Sequence, residues 1–489
     1  MHFVNRPERT KLVNSCPTVR IELLIKTQPP RNRSLAKRTI MPSMKTKHKV
    51  VCLAAVILGV MGQVYGQNKP VVLRHVTVID GTGAAPKKDV DVEILKDVIV
   101  AIRPASNTAN GSLVDMQGKT IMPLLISTHS HIGTVSGTTT AAENYTRKNI
   151  LRQLRHYEHY GVGAVLIMGT DRPLLFEGLR DSSAAGRLPG AKLFSAGFGF
   201  AVRNAAPEGS GMDKLFRPVS AEEVPKQMEE LAKLRPTVVK IWVDDFNGKS
   251  EKMKPEIYQA IIREAHQHGL RVASHLYYRD DAEKLVDAGV DIIAHSIRDQ
   301  EIDDVLIKKM KEKKIVYIPT LSLDEYAFAY AGNPQWINDE FFKASLEPGV
   351  YAMITDPAYR DKIKNSPDYG RNKIALEIAL RNLKKIYDSG ILVSLGTDSG
   401  ANPLRAQGFS EHLELELLVE AGLTPLQAIT VGTKNAATVL GIDKAYGTLE
   451  VGKKADFIVL TESPETKIKN TRTIDSVWRN GKPVSQGPL

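Results

Sequence analysis

The chain has 489 residues, of which 42% are hydrophobic and 25% are charged. These values are close to those of ordinary globular proteins, so they exclude a largely disordered chain, a collagen and a multi-span membrane protein. The net charge of +11 would favour a nucleic-acid partner, but residues 1–66 hold twelve Lys or Arg against two Glu. The remaining chain is electrically balanced, and we predict no nucleic-acid partner.

Residues 44–66 have the pattern of a secretory signal peptide. Three lysines precede an apolar run over residues 50–60, and small residues lead to Gly66. The run is shorter than the roughly 20 residues that a membrane-spanning helix needs. We therefore predict an upstream extension and signal peptide over residues 1–66, a secreted or periplasmic protein, and no stable membrane anchor after cleavage. A retained N-terminal anchor is the alternative.

The two ends of the remaining chain share a β-rich pattern. Residues 67–122 and 441–489 contain short β-branched runs separated by turns such as Asp80-Gly81 and Asn480-Gly481. Such runs are typical of small antiparallel sheets. We predict that both segments join in one small β-sandwich that encloses the domain between them.

The middle segment, residues 123–440, alternates strand-like and helix-like stretches. Eight such units close into a TIM (β/α)8 barrel, whose active site lies at the carboxyl ends of the strands. The predicted fold is therefore α/β, with a TIM barrel and the β-sandwich, and an open doubly wound sheet is the alternative. The predicted strands cover residues 124–128, 164–168, 192–196, 238–243, 271–275, 291–295, 315–320 and 392–397.

Polar side chains end four of these strands. The first strand leads into His129 and His131, which are two residues apart and so point the same way. The fifth and sixth strands end at His275 and His295, and the eighth leads into Asp398. A single His-x-His pair arises easily by chance, but the carboxyl ends of barrel strands meet at one place. The set therefore predicts a metal site.

The fourth predicted strand holds a lysine, Lys240, within an apolar run. An unpaired buried ammonium is costly, so such a lysine finds a carboxylate or loses its proton. A neutral amine can react with CO2 to form a carbamate, whose two oxygens can bridge two metal ions. The alternative is a lysine that snorkels to solvent or forms a salt bridge near Asp244 and Asp245.

This ordered set of residues resembles the amidohydrolase superfamily. The most similar group is the imidazolonepropionase-related binuclear-metal amidohydrolases, which include metallo-dipeptidases and prolidase-like enzymes and use a carboxylated lysine. The resemblance extends over residues 71–484. Its most specific parts are the GTDSG sequence at residues 396–400 and the GTLEVGKKADF sequence at residues 447–457.

The resemblance implies two divalent metal ions held by six side chains, namely His129, His131, Lys240, His275, His295 and Asp398. The His-x-His pair and the aspartate would bind the first ion and the other two histidines the second, with the lysine, carboxylated by CO2, between them. Ligands of this kind suit zinc best, with manganese, cobalt or nickel as substitutes.

The same resemblance implies an enzyme that cleaves an amide bond with hydroxide formed on the metal ions. Asp398 would move the proton, and Tyr277 would contact the substrate or the developing oxyanion. The expected substrates are small molecules or short peptides: a dipeptide, a prolyl peptide or an N-acyl amino acid. The alternatives are a hydrolase of cyclic amides, lactones or phosphotriesters, and a non-catalytic exported binding protein. The oligomeric state is left open, a homo-oligomer included.

Two residues before the His-x-His pair depart from the family pattern. Leu124 and Ser127 stand where the family usually has Gly and Asp. Three further interpretations stay open from the sequence. Arg298 either binds a substrate carboxylate or faces solvent, and His412 either supports the metal ligands or caps a helix. The aromatic residues over 326–342 either form a lid over the substrate or pack against the barrel or a subunit partner.

Overall fold

The computed structural model describes residues 69–106, 111–209 and 211–489. The predicted extension and signal peptide therefore lie outside the described residues, and export stays a prediction. Within the described ranges, no helix has both the length and the apolar character needed to cross a bilayer.

Eight parallel strands form the barrel, as the sequence predicts. They are Leu125–Ser130, Val162–Ile167, Lys192–Ser195, Val239–Trp242, Val272–His275, Ile292–Ala294, Val316–Ile318 and Leu392–Val393. Strands one to three pair in one run, and strands four to eight pair in another. Backbone hydrogen bonds join the two runs, from Thr128 to Leu395 at 2.8 Å and from Thr237 to Ser195 at 2.7 Å. The first bond connects strand eight to strand one and the second connects strand three to strand four, so the sheet is closed and is not the open doubly wound alternative.

Helices follow the strands and cover the barrel. The α-helices of the described residues are Arg147–His159, Leu179–Ala184, Val224–Lys233, Pro255–Gln267, Arg279–Ala288, Asp304–Glu312, Leu321–Tyr326, Glu340–Lys343, Val350–Thr355, Pro357–Lys364, Tyr369–Asp388, Phe409–Glu420, Pro425–Thr430 and Ala436–Leu440. Several begin at a side-chain cap. For example, Thr424 accepts a hydrogen bond from the Gln427 backbone, and the Gln427 side chain accepts one from Thr424.

Strands from both ends of the described chain combine in one eight-stranded sheet. Its strands are Val71–Val78, Lys87–Leu95, Val98–Pro104, Ser112–Asp115, Thr120–Pro123, Phe457–Leu460, Ile474–Arg479 and Lys482–Ser485. The strand Thr120–Pro123 pairs antiparallel with Phe457–Leu460, which joins the two ends. Leu73, Phe457 and Trp478 pack in the apolar core of this sheet. The domain limits at residues 67–122, 123–440 and 441–489 stay a prediction.

The aromatic side chains that precede the eighth strand are packed inside the protein. Tyr330 and Phe342 are fully buried. The ring centroids of Trp336 and Phe342 lie 4.7 Å apart, and those of Phe342 and Phe409 lie 4.8 Å apart. The cluster therefore packs against the helix Phe409–Glu420, as in the burial alternative, and does not form the lid.

The first and eighth strands approach most closely at Gly396. A Cβ added to Gly396 would lie 2.4 Å from Cγ2 of Ile318 and 2.7 Å from Cβ of His129. Both neighbours are short, buried side chains that cannot swing away. The absence of a side chain at this glycine therefore sets how closely the eighth strand approaches His129.

We expect Gly396→Ala to lower the free energy of unfolding by about 1–3 kcal/mol, because the added methyl overpacks the barrel interior. Gly370→Ala is the matched control. Nothing lies within 4 Å of its added Cβ, and it lies in the helix Tyr369–Asp388, so stability should rise by about 0.5–1 kcal/mol. Urea unfolding of both variants measures these changes. Equal stability of the two variants would contradict the packing described for Gly396.

Candidate metal centre

The end of the first strand meets Asp398 at the barrel mouth. Oδ1 of Asp398 lies 2.7 Å from Nε2 of His131 and 3.2 Å from Nε2 of His129. One ligand atom from each of the three side chains lies within 4.8 Å of the others, and all three residues are buried. This is the first metal site of the sequence prediction, and its members converge as expected.

The remaining two predicted histidines continue the same cluster of rings. The ring centroids of His129 and His295 lie 4.5 Å apart, and those of His295 and His275 lie 4.3 Å apart. The imidazoles of His129, His131, His275 and His295 therefore form one contiguous group at the carboxyl ends of strands one, five and six.

Two of these imidazoles have one ring nitrogen occupied by a threonine. Nδ1 of His131 lies 2.6 Å from Oγ1 of Thr170, and Nδ1 of His295 lies 2.8 Å from Oγ1 of Thr320. In both rings Nε2 is then the nitrogen left to coordinate an ion. Partners of this kind fix the orientation of histidine ligands in metal sites.

In the imidazole of His275 it is Nε2, and not Nδ1, that has a partner among the described residues. Nε2 of His275 lies 3.2 Å from Oδ1 of the buried Asp244, so Nδ1 is the nitrogen that is left. The Phe246 ring stacks on His275 with centroids 5.1 Å apart. Burial alone would raise the pKa of Asp244, but the neighbouring His275 lowers it. The ionised carboxyl group of Asp244 therefore lies beside Nε2 of His275.

Lys240 lies in the fourth strand with its amine inside this group. The side chain is fully buried, and Nζ has no hydrogen-bond partner in the part of the chain that the structure describes. Burial lowers the lysine pKa to about 7, although the charges of Asp398 and Asp244 oppose the shift. The predicted alternative, a lysine that snorkels to solvent or pairs with Asp244 or Asp245, is not what the structure shows.

The imidazoles of His129 and His295 are held in the neutral form that binds metals. Burial, with the nearby charge of Lys240, lowers the pKa of His129 to about 3. Burial and the neighbouring His275 lower the pKa of His295 well below its usual value. Neutral imidazole nitrogens are donors for divalent ions.

Asp398 also contacts a cation. Its Oδ2 accepts a hydrogen bond from Arg405, which lies in the loop after the eighth strand. Burial opposes ionisation, but Arg405 and His131 hold the pKa of Asp398 well below its usual range. The carboxylate is therefore ionised throughout the neutral pH range.

Three residues of the centre have a left-handed backbone. The φ angles are 87° at His295, 53° at Thr320 and 57° at Asp398. Non-glycine residues rarely adopt this conformation, and the strain concentrates at functional sites. The surrounding contacts must therefore hold these backbones in place.

A cavity of about 540 Å³ opens onto the centre, a volume within the range of small-molecule sites. Tyr277 lines it, and burial raises the pKa of this phenol above its usual value. The guanidinium of Arg298 lies 4.6 Å from the Tyr277 ring centre, and its Nε lies 2.9 Å from Oδ1 of Asp324. Arg298 is thus buried and paired at the cavity wall, so the solvent-exposed interpretation of this residue was wrong.

His412 takes no part in the centre. Nδ1 lies 2.9 Å from Oγ1 of Thr471, and Nε2 lies 2.9 Å from the carbonyl oxygen of Tyr160. The residue lies within the helix Phe409–Glu420, not at its cap. Both interpretations offered for His412 were therefore wrong, and its role is to join this helix to its neighbours.

Several contributors were not singled out from the sequence. Thr170 and Thr320 follow the second and seventh strands, so the rule that polar residues end barrel strands could have identified them. Asp244 follows the fourth strand in the same way, but it was interpreted as a partner for the lysine. Arg405 lies well after its strand, and no local pattern marks it.

The residues present fit two divalent ions. Nδ1 of His129 and the amine of Lys240 are buried polar atoms without a hydrogen-bond partner among the described residues. Such atoms are costly in a folded protein unless a ligand satisfies them. The donors are all nitrogen or oxygen, which suits zinc and its first-row neighbours.

We expect Lys240→Met to stabilise the metal-free protein. The lysine pKa falls from 10.5 to about 7 on folding, so the unfolded chain binds more protons between these values and wild-type stability rises with pH there. The advantage of the variant should be absent above about pH 10.5 and complete below about pH 7.

Thermal unfolding in CO2-free buffers at several pH values measures this difference, with the exposed Lys254→Met as control. A variant that is no more stable than the wild type at pH 7 would contradict the burial of an unpaired amine.

Comparisons with known proteins agree with this geometry. An imidazolonepropionase of Deinococcus deserti is 36% identical over 105 residues, which are 21% of this chain and 26% of that protein. The chain thus spans about a quarter of the length of the curated relatives that it matches.

Solved structures are similar over most of the chain. A Xaa-Pro dipeptidase with bound methionine in the active site has a TM-score of 0.67 at 22% identity and covers 85% of this chain and 99% of its own. A prolidase complexed with N-methylphosphonate-L-proline has a TM-score of 0.66 at 19% identity and covers 85% and 100%. At these identities the likeness supports the fold. The pattern of the Amidohydrolase family matches residues 120–484, and the chain belongs to that family.

Proposed function

We propose that this protein is a hydrolase with two divalent metal ions that cleaves an amide bond next to a substrate carboxylate. The substrates would be dipeptides, prolyl peptides or N-acyl amino acids. The observation that carries the proposal is the fully buried amine of Lys240, without a hydrogen-bond partner among the described residues, amid the predicted ligands. The dipeptidase and prolidase likenesses support this choice among amide hydrolases.

The two ions would occupy the ends of one ligand group. His129, His131 and Asp398 would hold the first ion, and His275 and His295 would hold the second. Lys240, carboxylated by CO2, would contact both, and zinc is the proposed metal. When bound, the ions polarise the scissile carbonyl group and lower the pKa of the attacking water.

Asp398 would act as the base and then as the acid. Arg405 keeps it ionised, which is the form that accepts a proton from the attacking water. The same carboxyl group then delivers that proton to the departing amine nitrogen. Its position between the two imidazoles of the first site keeps Oδ1 in place during the transfer.

The cavity wall would recognise the substrate. Burial keeps the Tyr277 phenol protonated, so it can donate a hydrogen bond to the developing oxyanion. Arg298 lines the same cavity. Since Nε of Arg298 bonds Asp324 and Nη1 donates to the carbonyl oxygen of Ser296, its Nη2 amino group would meet a substrate carboxylate.

Export of the mature protein is a further part of the proposal. It is supported by the lysines, the apolar run and the small residues that precede residue 67. Comparison of the N-terminus of the protein recovered from cell extracts and from the extracytoplasmic fraction tests it.

We expect the metal-loaded protein to hydrolyse dipeptides or N-acyl amino acids with a free carboxylate. Each substrate should be compared with the analogue whose free carboxylate is replaced by a carboxamide. We expect kcat/KM for the carboxylate to be at least about tenfold higher, because the carboxamide leaves Arg298 without a charged partner. Lactones and phosphotriesters belong in the same panel. Turnover of these compounds alone would contradict the proposal.

We expect Asp398→Asn to lower kcat by about 10²–10⁴-fold with the fold unchanged, because an amide cannot carry the proton. Asp443→Asn, at an exposed position, is the control and should keep full activity. Steady-state kinetics and circular dichroism measure the two effects. A loss below about threefold in Asp398→Asn would reassign the proton transfer.

A further inference from the structure

A buried carboxylate that no prediction assigned lies directly beneath the first metal site. Glu411 is in the first turn of the helix Phe409–Glu420 and is fully buried. Its Oε1 accepts hydrogen bonds from Oγ1 of Thr397 at 2.7 Å and from Oγ of Ser399 at 2.9 Å. Its Oε2 accepts one from the backbone N–H of Gly408 at 2.9 Å. All of these donors are neutral.

The two hydroxyl donors stand on either side of Asp398. Oγ1 of Thr397 also accepts a hydrogen bond from the backbone N–H of Ser399 at 3.1 Å, so the two flanking residues are tied to each other and to Glu411. Between them the Asp398 backbone has a φ angle of 57°. This left-handed conformation is unfavourable for a residue other than glycine. Hydrogen bonds among Thr397, Ser399 and Glu411, which we call the bracket, hold the Asp398 backbone in it.

The same bracket fixes the His-x-His pair. The backbone N–H groups of Thr397 and Asp398 donate to the carbonyl oxygen of His129, at 3.0 and 2.9 Å. The backbone N–H of His131 donates to the carbonyl oxygen of Ser399 at 2.8 Å. A shift of the bracket would therefore displace all three residues of the first metal site together.

The first strand meets the same carboxylate through Ser127. This residue is fully buried, and its hydroxyl lies close enough to Glu411 to oppose the rise that burial causes in the pKa of that carboxyl group. Its Oγ also accepts a hydrogen bond from Oγ of Ser130 at 2.8 Å. The family usually has an aspartate at this strand position, so this chain has a hydroxyl there and a carboxylate on the facing helix.

We propose that Glu411 is the positioning residue of the first metal site and supplies, from the helix Phe409–Glu420, the carboxyl acceptor that Ser127 does not supply from the first strand. The inference rests on the proposed metal site. Glu411 contacts neither the ion nor the substrate. It acts through Thr397 and Ser399 on the direction of the Asp398 carboxylate.

The test is the affinity of the metal-depleted full chain for Co²⁺, followed by the visible absorption of the bound ion. We expect Glu411→Gln to weaken binding of the first Co²⁺ by about 10–100-fold. The glutamine side chain has one oxygen and one NH2 group in place of two oxygens. Its NH2 group would therefore face one of the three present donors, the two hydroxyls or the backbone N–H of Gly408. Glu416→Gln, on the same helix but paired with Arg472, is the matched control and should bind Co²⁺ as the wild type does.

A second pair of variants separates positioning from general destabilisation. Ser127→Asp alone should weaken Co²⁺ binding, because it sets two buried carboxylates against each other. Combined with Glu411→Gln it returns one carboxylate to the cluster, and affinity should recover to within about threefold of the wild type. Additive losses in the double variant would overturn the inference, as would wild-type affinity in Glu411→Gln.

If Glu411→Gln does not fold, Thr397→Val decides in its place. This variant keeps the carboxylate and the shape of the side chain but removes one arm of the bracket, and it should lower Co²⁺ affinity about tenfold. Unchanged affinity would overturn the inference. A wild-type protein that binds no Co²⁺ would instead contradict the proposed function, so the two failures are distinguishable.

Discussion

The amine of Lys240 is fully buried, 5.4 Å from the ring centre of Trp242, without a hydrogen-bond partner among the described residues. The rest of the centre is arranged around that constraint. The nearest carboxylates are already engaged, Asp398 by Arg405 and His131 and Asp244 by His275. The amine therefore keeps its low proton affinity, which favours reaction with CO2 over an ion pair. Carboxylation would convert an unsatisfied donor into two acceptors between two groups of imidazoles. The proposed binuclear site follows from this conversion.

The two departures from the family pattern are both compensated nearby. Leu124 replaces a glycine, and the neighbouring Gly163 leaves the space that its side chain fills, since a Cβ added there would lie 2.8 Å from Cβ of Leu124. Ser127 replaces an aspartate, and Glu411 approaches the same position from a helix. In each case a residue of the facing element lies against the changed position, Gly163 without a side chain and Glu411 with a carboxyl group.

Much of the fold could be predicted from the sequence because it depends on local patterns. The eight barrel strands are short apolar runs, and the turns of the terminal sheet contain glycine in its preferred positions. The predicted ligands could be found for a similar reason, since a polar residue at the end of an apolar run marks the barrel mouth. His129, His275 and Asp398 all follow this rule.

What could not be predicted depends on contacts between residues far apart in the chain. Glu411 lies near Ser127 across 284 positions of sequence. Arg405 is a different case, because it lies only seven positions after Asp398, in a loop whose course no local pattern predicts. The aromatic residues before the eighth strand show the same limit, because their composition fits a lid as well as a buried cluster. Only the packing of Trp336 and Phe342 on Phe409 distinguishes the two.

The most direct measurement of the central claim is a ¹³C NMR spectrum of the metal-loaded protein prepared in ¹³C-bicarbonate. The account predicts one carbamate carbon per chain in the wild type, no such signal in Lys240→Met, and an unaltered signal in Lys254→Met. A metal-loaded wild type whose Lys240 carries no carbon from CO2 would contradict it.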